Sequence, residues 1–249
     1  SKLVDGDEYF DISQKKFDWV ASVVTLGCSI SCLPIGFLMK KFGRKWTMMS
    51  LVIPFTLGWA LVIFAQNFAM LLIGRLLIGL AGGAFCISAP QYSAEIAQKE
   101  IRGTIGSFFQ LLSVSGVLFV YSIGPYMRVL WTNVICGLLP LLFAVIFFFM
   151  PESPVYLVIK NRDDEAIKSY KWLRGDSYNP QSEVDDLKNE ISEASEKKIS
   201  LKEEFSKRSS ILGVIIGFGL MFFQQMSGIN VVIFYATVIF EVKLYSYMF

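Results

Sequence analysis

Six long apolar stretches divide the chain, roughly Trp19–Met39, Trp46–Ala65, Phe68–Tyr92, Thr104–Ile123, Val129–Met150 and Ile211–Phe240. Each is long enough and poor enough in charge to cross a bilayer as a helix, which takes about 20 residues. Barrel strands need only about 9–11 residues, and an isolated strand leaves its backbone polar groups unsatisfied in lipid. The pattern predicts an all-α membrane protein with six transmembrane helices. Between the fifth and sixth stretches, residues 151–210 mix Lys, Arg, Asp and Glu densely, so this segment is not a spanning element. The expected organisation is an extracellular segment at 1–18, five membrane helices over 19–150, a linker over 151–210 and one further membrane helix over 211–249.

The loops predict orientation. Lys40, Lys41, Arg44 and Lys45 follow the first span, and Lys99 and Arg102 follow the third. The loop at Gln66-Asn67 carries no charge, and the loop after the fourth span has only Arg128. Positive loops stay on the cytoplasmic side. Residues 40–45, 93–103 and the linker are therefore expected in the cytoplasm, with Ser1 to Asp18 outside. An outside start without a signal peptide implies a preceding span, so the chain is expected to be a fragment lacking at least one N-terminal helix.

Within the linker, Ala166, Ile167, Tyr170 and Leu173 have helical spacing over Asp163–Leu173, and Gly175 is a stop signal. Ser182–Lys197 is a second candidate helix, and Ser200-Leu201-Lys202-Glu203 reads as a capping box opening a third. A solvated linker and short amphipathic helices lying under the membrane domain are the two readings of this composition.

Composition agrees with the span pattern. The 249 residues are 54% hydrophobic and 15% aromatic, with 22 Phe, and mean hydropathy is +0.52. The net charge of +2 averages dry spans with a charged loop and decides nothing. Cys28, Cys32, Cys86 and Cys136 fall in apolar segments and read as small packing residues, with Cys28 and Cys32 on one helix face. There is no His and no zinc-type spacing, so no metal, cofactor or nucleic-acid partner is expected. Gly79 and Gly83 form a G-x-x-x-G pair beside Gly82 and Ala84, while Gly27, Ser31 and Gly36 line the first span, as close helix packing requires. Pro34, Pro54, Pro90 and Pro140 lie within or at the ends of spans, where kinks are expected.

Polar residues inside the spans carry the candidate chemistry. Arg75 sits about two turns from the outer end of its span, where it either snorkels to the interface or pairs inside the bundle. Glu95 and Arg102 flank a cytoplasmic junction and are candidates for an ion-pair network with Arg44. A single Gln110 reads equally as helix–helix glue. Gln224, Gln225 and Asn230, with Ser227 among them, are too many for glue. An amide offers both a carbonyl acceptor and two N–H donors, which suits a neutral polyhydroxylated ligand. On a straight helix Gln224 and Asn230 would stand about 240° apart, and Gln225 and Asn230 about 140°. The helix is therefore expected to break, and Ser227-Gly228 is the natural point. Discontinuous helices with mid-membrane polar groups mark transporter binding sites.

Several motifs now fall in order. Gly36 to Lys45 looks like G-x-x-x-D-R-x-G-R-R. Gly74-Arg75 to Gly79 looks like G-R-x-x-x-G. Pro90, Tyr92 and Glu95, then Arg102-Gly103 and Gln110, follow P-x-Y-x-x-E…R-G…Q. Pro151-Glu152-Ser153-Pro154-Val155-Tyr156-Leu157 looks like P-E-S-P-R-W/Y-L, and Gln224 to Asn230 is close to Q-Q-x-S-G-I-N. Together they resemble the sugar porter family of the major facilitator superfamily. Trp172-Leu173-Arg174-Gly175 and the run from Phe222 to Tyr235 are further similar to insect facilitated trehalose transporters.

The resemblance implies twelve spans in two halves, with a partial major facilitator helical bundle here holding the family's second to seventh. It implies that Gln110, Gln224, Gln225 and Asn230 bind the hydroxyls of a neutral sugar, trehalose or a hexose. It also implies that Arg44, Glu95, Arg102 and Glu152 join a cytoplasmic network locking the outward-open state, and that Tyr235 belongs to the outer gate. Three positions depart from the pattern. Lys40 stands for an acid, Val155 for an Arg and Phe234 for a Tyr. The expected activity is facilitative uniport by alternating access across the cell membrane, without covalent chemistry. A transporter-like sensor or inactive truncated isoform, and an efflux transporter of small amphipathic compounds, are the rival readings.

Overall fold

In a computed structural model of the protein, residues 14–98, 100–124, 126–175, 177–196, 208–229 and 232 are described. They form helices α1 (Gln14–Phe42), α2 (Arg44–Ile63), α3 (Phe68–Ile96), α4 (Arg102–Ile123) and α5 (Val129–Phe148). Then come α6 (Pro154–Ile159), α7 (Asp163–Arg174), α8 (Gln181–Glu196) and α9 (Arg208–Met226). Helices α1 to α5 and α9 are long and apolar enough to span a membrane. The spans begin and end within a few residues of the apolar boundaries; the sixth is described as a helix over Arg208–Met226, and nearly all of its expected stretch beyond Ile229 lies outside the described residues. The chain divides into two units, Ser1–Ile191 and Ser192–Phe249, so α9 belongs to the second.

In the first unit α3 is the hub, packing against α1, α2 and α4 and touching α6. Small residues set these contacts, because in lipid the association of helices depends on close backbone approach and not on hydrophobic exclusion. A Cβ on Gly83 would meet Cys28 Cα at 2.5 Å, one on Gly27 would meet the Leu76 carbonyl at 2.7 Å, and one on Gly79 would run into the Val24 carbonyl. Gly58 of α2 and Gly74 of α3 face each other reciprocally, each Cβ position 2.9 Å from the other's carbonyl oxygen. Gly36 and Gly82 are different: among the described residues nothing lies within 4 Å of their Cβ positions. The α3–α5 side is aromatic, with Phe85 edge-on to Phe143 at 5.2 Å and Tyr92 edge-on to Phe147 at 5.1 Å. The four prolines lie inside α1, α2, α3 and α5. All four cysteines are free thiols.

Helix α4 buries none of its residues, and α5 exposes Leu138, Leu139, Leu142 and Val145. Apolar side chains facing outward along a span are the expected condition where the solvent is lipid.

The described part of the linker, up to residue 196, is folded. Tyr156, Leu157 and Val158 of α6, Ala166 and Tyr170 of α7, and Val184 of α8 share a core that Ile167, Leu187 and Ile191 cover. α7 begins on Asp163, Asp164 and Glu165 and ends on Lys171 and Arg174, charges that complement the helix dipole at both ends. Of the two readings of this segment, short helices are what the described residues form. α6 was absent from the pattern because six residues are too few to show a period. The capping box at Ser200–Glu203 lies outside the described residues.

Candidate functional site

A polar cluster gathers where α1, α2, α3 and α6 meet. It starts at Gly43, the single residue between α1 and α2. Its φ of +91° is a conformation that side chains rarely adopt, and the position a Cβ would take is occupied by a carboxylate oxygen of Glu152. α2 has no capping side chain of its own. Instead, Glu152 Oε1 accepts hydrogen bonds from the backbone N–H of Arg44 at 2.9 Å and of Lys45 at 3.0 Å. The same oxygen also accepts from the N–H of Ser153 at 2.8 Å. An anion on the first amides of a helix satisfies orphan donors and meets the positive end of the dipole.

Arg44, 7% exposed, is the cation of the cluster. Its Nε and Nη2 both donate to Glu95 Oε1, at 3.0 and 2.8 Å, and its Nη1 reaches the Met39 carbonyl at 3.4 Å. The guanidinium also lies 5.3 Å from the centre of the Tyr156 ring. Glu95 Oε1 accepts in addition from Gln91 Nε2 at 3.1 Å, and Ser153 Oγ donates to Oε2. Two tyrosines tie the backbone around this pair. Tyr156 donates to the Lys41 carbonyl at 3.0 Å, and Tyr92 to the Pro151 carbonyl at 2.8 Å. Ser169 Oγ of α7 donates to the Glu152 carbonyl at 2.7 Å, attaching the linker.

Three of the expected gating residues, Arg44, Glu95 and Glu152, are thus brought together. Glu152 joins through its carboxylate to the backbone amides of Arg44, Lys45 and Ser153. Arg102, exposed as the first residue of α4, is not hydrogen-bonded to the cluster. Tyr235 lies outside the described residues. Val155 is half-buried on α6, and Lys40 is exposed. Tyr92, Ser153 and Tyr156 entered the sequence reading only as members of motifs, and Gly43 and Gln91 were given no role there. The Ser-Pro step at 153–154 was a legible signal, since Ser153 caps α6 and Pro154 takes its first turn.

The described amides stand on two helices, α4 and α9. Gln110 is exposed midway along α4. Gln224 and Gln225 are exposed on the last turn of α9, which ends at Met226. Gly228 has φ +72°, and its N–H turns back to the Gln225 carbonyl at 3.2 Å. Ser227 Oγ donates to the Gln224 carbonyl at 2.6 Å, capturing an acceptor that the interrupted helix leaves open. The break falls where the scatter of the amides required it. Asn230 lies outside the described residues. Arg75 makes no ion pair among the described residues, and its buried Nε has no hydrogen-bond partner there.

A second arginine cluster lies in the linker. Arg174 pairs with Glu183 and bonds the Tyr178 hydroxyl at 2.6 Å. Its guanidinium sits 4.9 Å from the Tyr170 ring centre and 4.8 Å from that of Tyr178. Burial pushes the Tyr170 phenol up from its ordinary pKa, and the hydrogen bond to Glu183 does the same for Tyr178.

Six membrane-length helices, glycine-mediated contacts and a polar cluster at one end define a multi-pass helical membrane protein. Its fold is similar to that of solved membrane transporters. The proton:xylose symporter XylE bound to 6-bromo-6-deoxy-D-glucose superposes with a TM-score of 0.74 at 22% identity, over 90% of this chain and 53% of that one. The partially occluded inward-open xylose transporter XylE from E. coli gives 0.72 at 22% identity, over 89% and 55%. Residues 4–248 match the family described as "Sugar (and other) transporter", and the chain belongs to that family. It is 35% identical to the facilitated trehalose transporter Tret1 of Bombyx mori, over 94% of this chain and 46% of the relative. It is 36% identical to Tret1 of Apis mellifera ligustica, over 93% and 46%. The chain spans about half the length of these curated relatives.

Proposed function

We propose that this chain is part of a facilitative transporter of a neutral sugar, trehalose or a hexose, working by alternating access without covalent chemistry. The observation that carries the reading is the interruption of α9 at Ser227-Gly228, next to Gln224 and Gln225. A break frees amides and backbone groups together, and such sites line polar cavities inside membranes. Family membership and relatives named as trehalose transporters support the substrate class. We assign Gln110, Gln224, Gln225 and Asn230 to the sugar hydroxyls. Arg44, Glu95 and Glu152 form a clasp that stabilises one of the two access states, and Arg102 and Tyr235 are assigned to gating with them. The clasp biases transport only if it breaks in the other state, because contacts common to both states shift nothing.

Uptake of labelled trehalose and labelled glucose into vesicles carrying the full-length protein tests this. The variant Gln224→Leu, Gln225→Leu, Asn230→Leu is expected to lose nearly all uptake of the transported sugar. Normal uptake by that variant would sink the site. Sugar binding without flux in the unmutated protein would favour the sensor reading, and export of amphipathic compounds the efflux reading.

A further inference from the structure

The lysines around the α1–α2 turn stand beside carboxylates that are already engaged. Glu152 is held by backbone amides and Glu95 by Arg44. Lys40, Lys41 and Lys160 are exposed, and none of them forms an ion pair among the described residues. Lys40 and Lys41 lie in the last turn of α1, and Lys160 caps α6. Lys160 Nζ lies 5.7 Å from the centre of the Tyr156 ring, whose hydroxyl bonds the Lys41 carbonyl.

The surface next to them is aromatic. Phe42 is 52% exposed, Trp46 57% and Phe149 72%. Lys41 Nζ stands 5.3 Å from the Phe42 ring centre. Lys45 Nζ stands 5.8 Å from that of Trp46 and 5.6 Å from that of Phe148, while donating to the Phe148 carbonyl at 2.8 Å. Exposed aromatic rings at the ends of spans mark the level of the lipid headgroups. Lysines at that level bury their stems against the apolar edge and hold their ammonium groups among the phosphates. Clustered lysines beside a span recognise anionic headgroups and discriminate little among zwitterionic ones.

We infer that the edge formed by Lys40, Lys41 and Lys160, with Phe42, Trp46 and Phe149, is a binding site for anionic phospholipid headgroups of the leaflet it faces. The inference is independent of which solute is carried. Spin-labelled phosphatidylserine and phosphatidylcholine, compared in phosphatidylcholine vesicles holding the full-length protein, test it. Phosphatidylserine is expected to be enriched at the protein roughly three- to fivefold at low salt, and the enrichment to vanish in about 1 M salt. The variant Lys40→Gln, Lys41→Gln, Lys160→Gln is expected to lose most of it. The salt series on the unmutated protein decides the matter even if that variant folds poorly. Equal association of the two lipids, a preference indifferent to salt, or one that the triple variant keeps would overturn the site. Displacement of the enriched lipid by free inorganic phosphate would reassign it to a soluble anion.

Discussion

Two arginines in this chain are built into similar surroundings and connect different things. Arg44 pairs with Glu95 against the Tyr156 ring, and Arg174 pairs with Glu183 between the Tyr170 and Tyr178 rings. The Arg174 pair joins neighbouring helices nine residues apart. The Arg44 pair joins elements 51 residues apart, and Glu152 adds a third from 108 residues away. The first kind of contact completes a local fold. The second gathers the ends of whole membrane helices, so the geometry of a bundle rests on a few hydrogen bonds. Identical chemistry therefore has different reach depending on what it ties together.

The largest expected effect comes from removing the long-range cation. Arg44→Ala leaves the Glu95 carboxylate enclosed without its partner, and loss of one member of a buried pair costs about 3–5 kcal/mol. The midpoint of thermal unfolding in detergent should fall by several degrees. An unchanged midpoint would mean that the pair does not hold the helices together. Glu152→Gln keeps an acceptor oxygen for the α2 amides but removes the charge, and should cost about 1–2 kcal/mol in the same assay. A Gln variant as stable as the original would show that hydrogen bonding alone suffices at that helix end.

Tyr178→Phe reads the local cluster. The hydroxyl accepts from Arg174 and donates to Glu183, and losing both bonds should cost about 1–2 kcal/mol, seen as faster proteolytic nicking of the linker. The raised phenol pKa values of Tyr170 and Tyr178 predict a pH dependence as well. Their stabilisation is fully present below the unfolded tyrosine pKa of about 10 and is lost as pH rises through the higher folded values. Alkaline titration should loosen the linker, and Tyr178→Phe should blunt that response. The smallest effect belongs to Arg162→Ala. Its pair with Glu165 is about half exposed on both sides, so a change under about 0.5 kcal/mol is expected, and a larger one would show that the linker surface couples to its core.

Much of this was legible in the residues. The spans followed from runs of apolar side chains, and Gly79 and Gly83 marked the α1–α3 contact because small residues repeat at helical spacing. The break at Ser227-Gly228 followed from angular arithmetic, and Gly175 marked the end of α7. What the sequence did not display were contacts whose partners lie about a hundred positions away. Nothing near Glu152 says that its carboxylate will cap α2, since the helix it caps begins at Arg44. Arg102 read as a member of the cluster because it is charged and close in sequence to Glu95, yet α4 begins there and carries it into exposure. Gly36 read as a packing residue because it is small, yet among the described residues nothing comes within 4 Å of where its Cβ would stand. Charge and size describe what a residue is able to do, while the fold decides what it faces.

The joint at Gly43 has a mechanical consequence. With one residue between the end of α1 and the start of α2, the two spans meet at an elbow with almost no slack, because a single peptide unit advances the chain only about 3.8 Å. Such an elbow forbids a piston stroke of one span past the other and leaves them only a shared pivot. The pair behaves as a bent lever with its fulcrum at the glycine, and the Glu152 carboxylate sits at that fulcrum like a wedge.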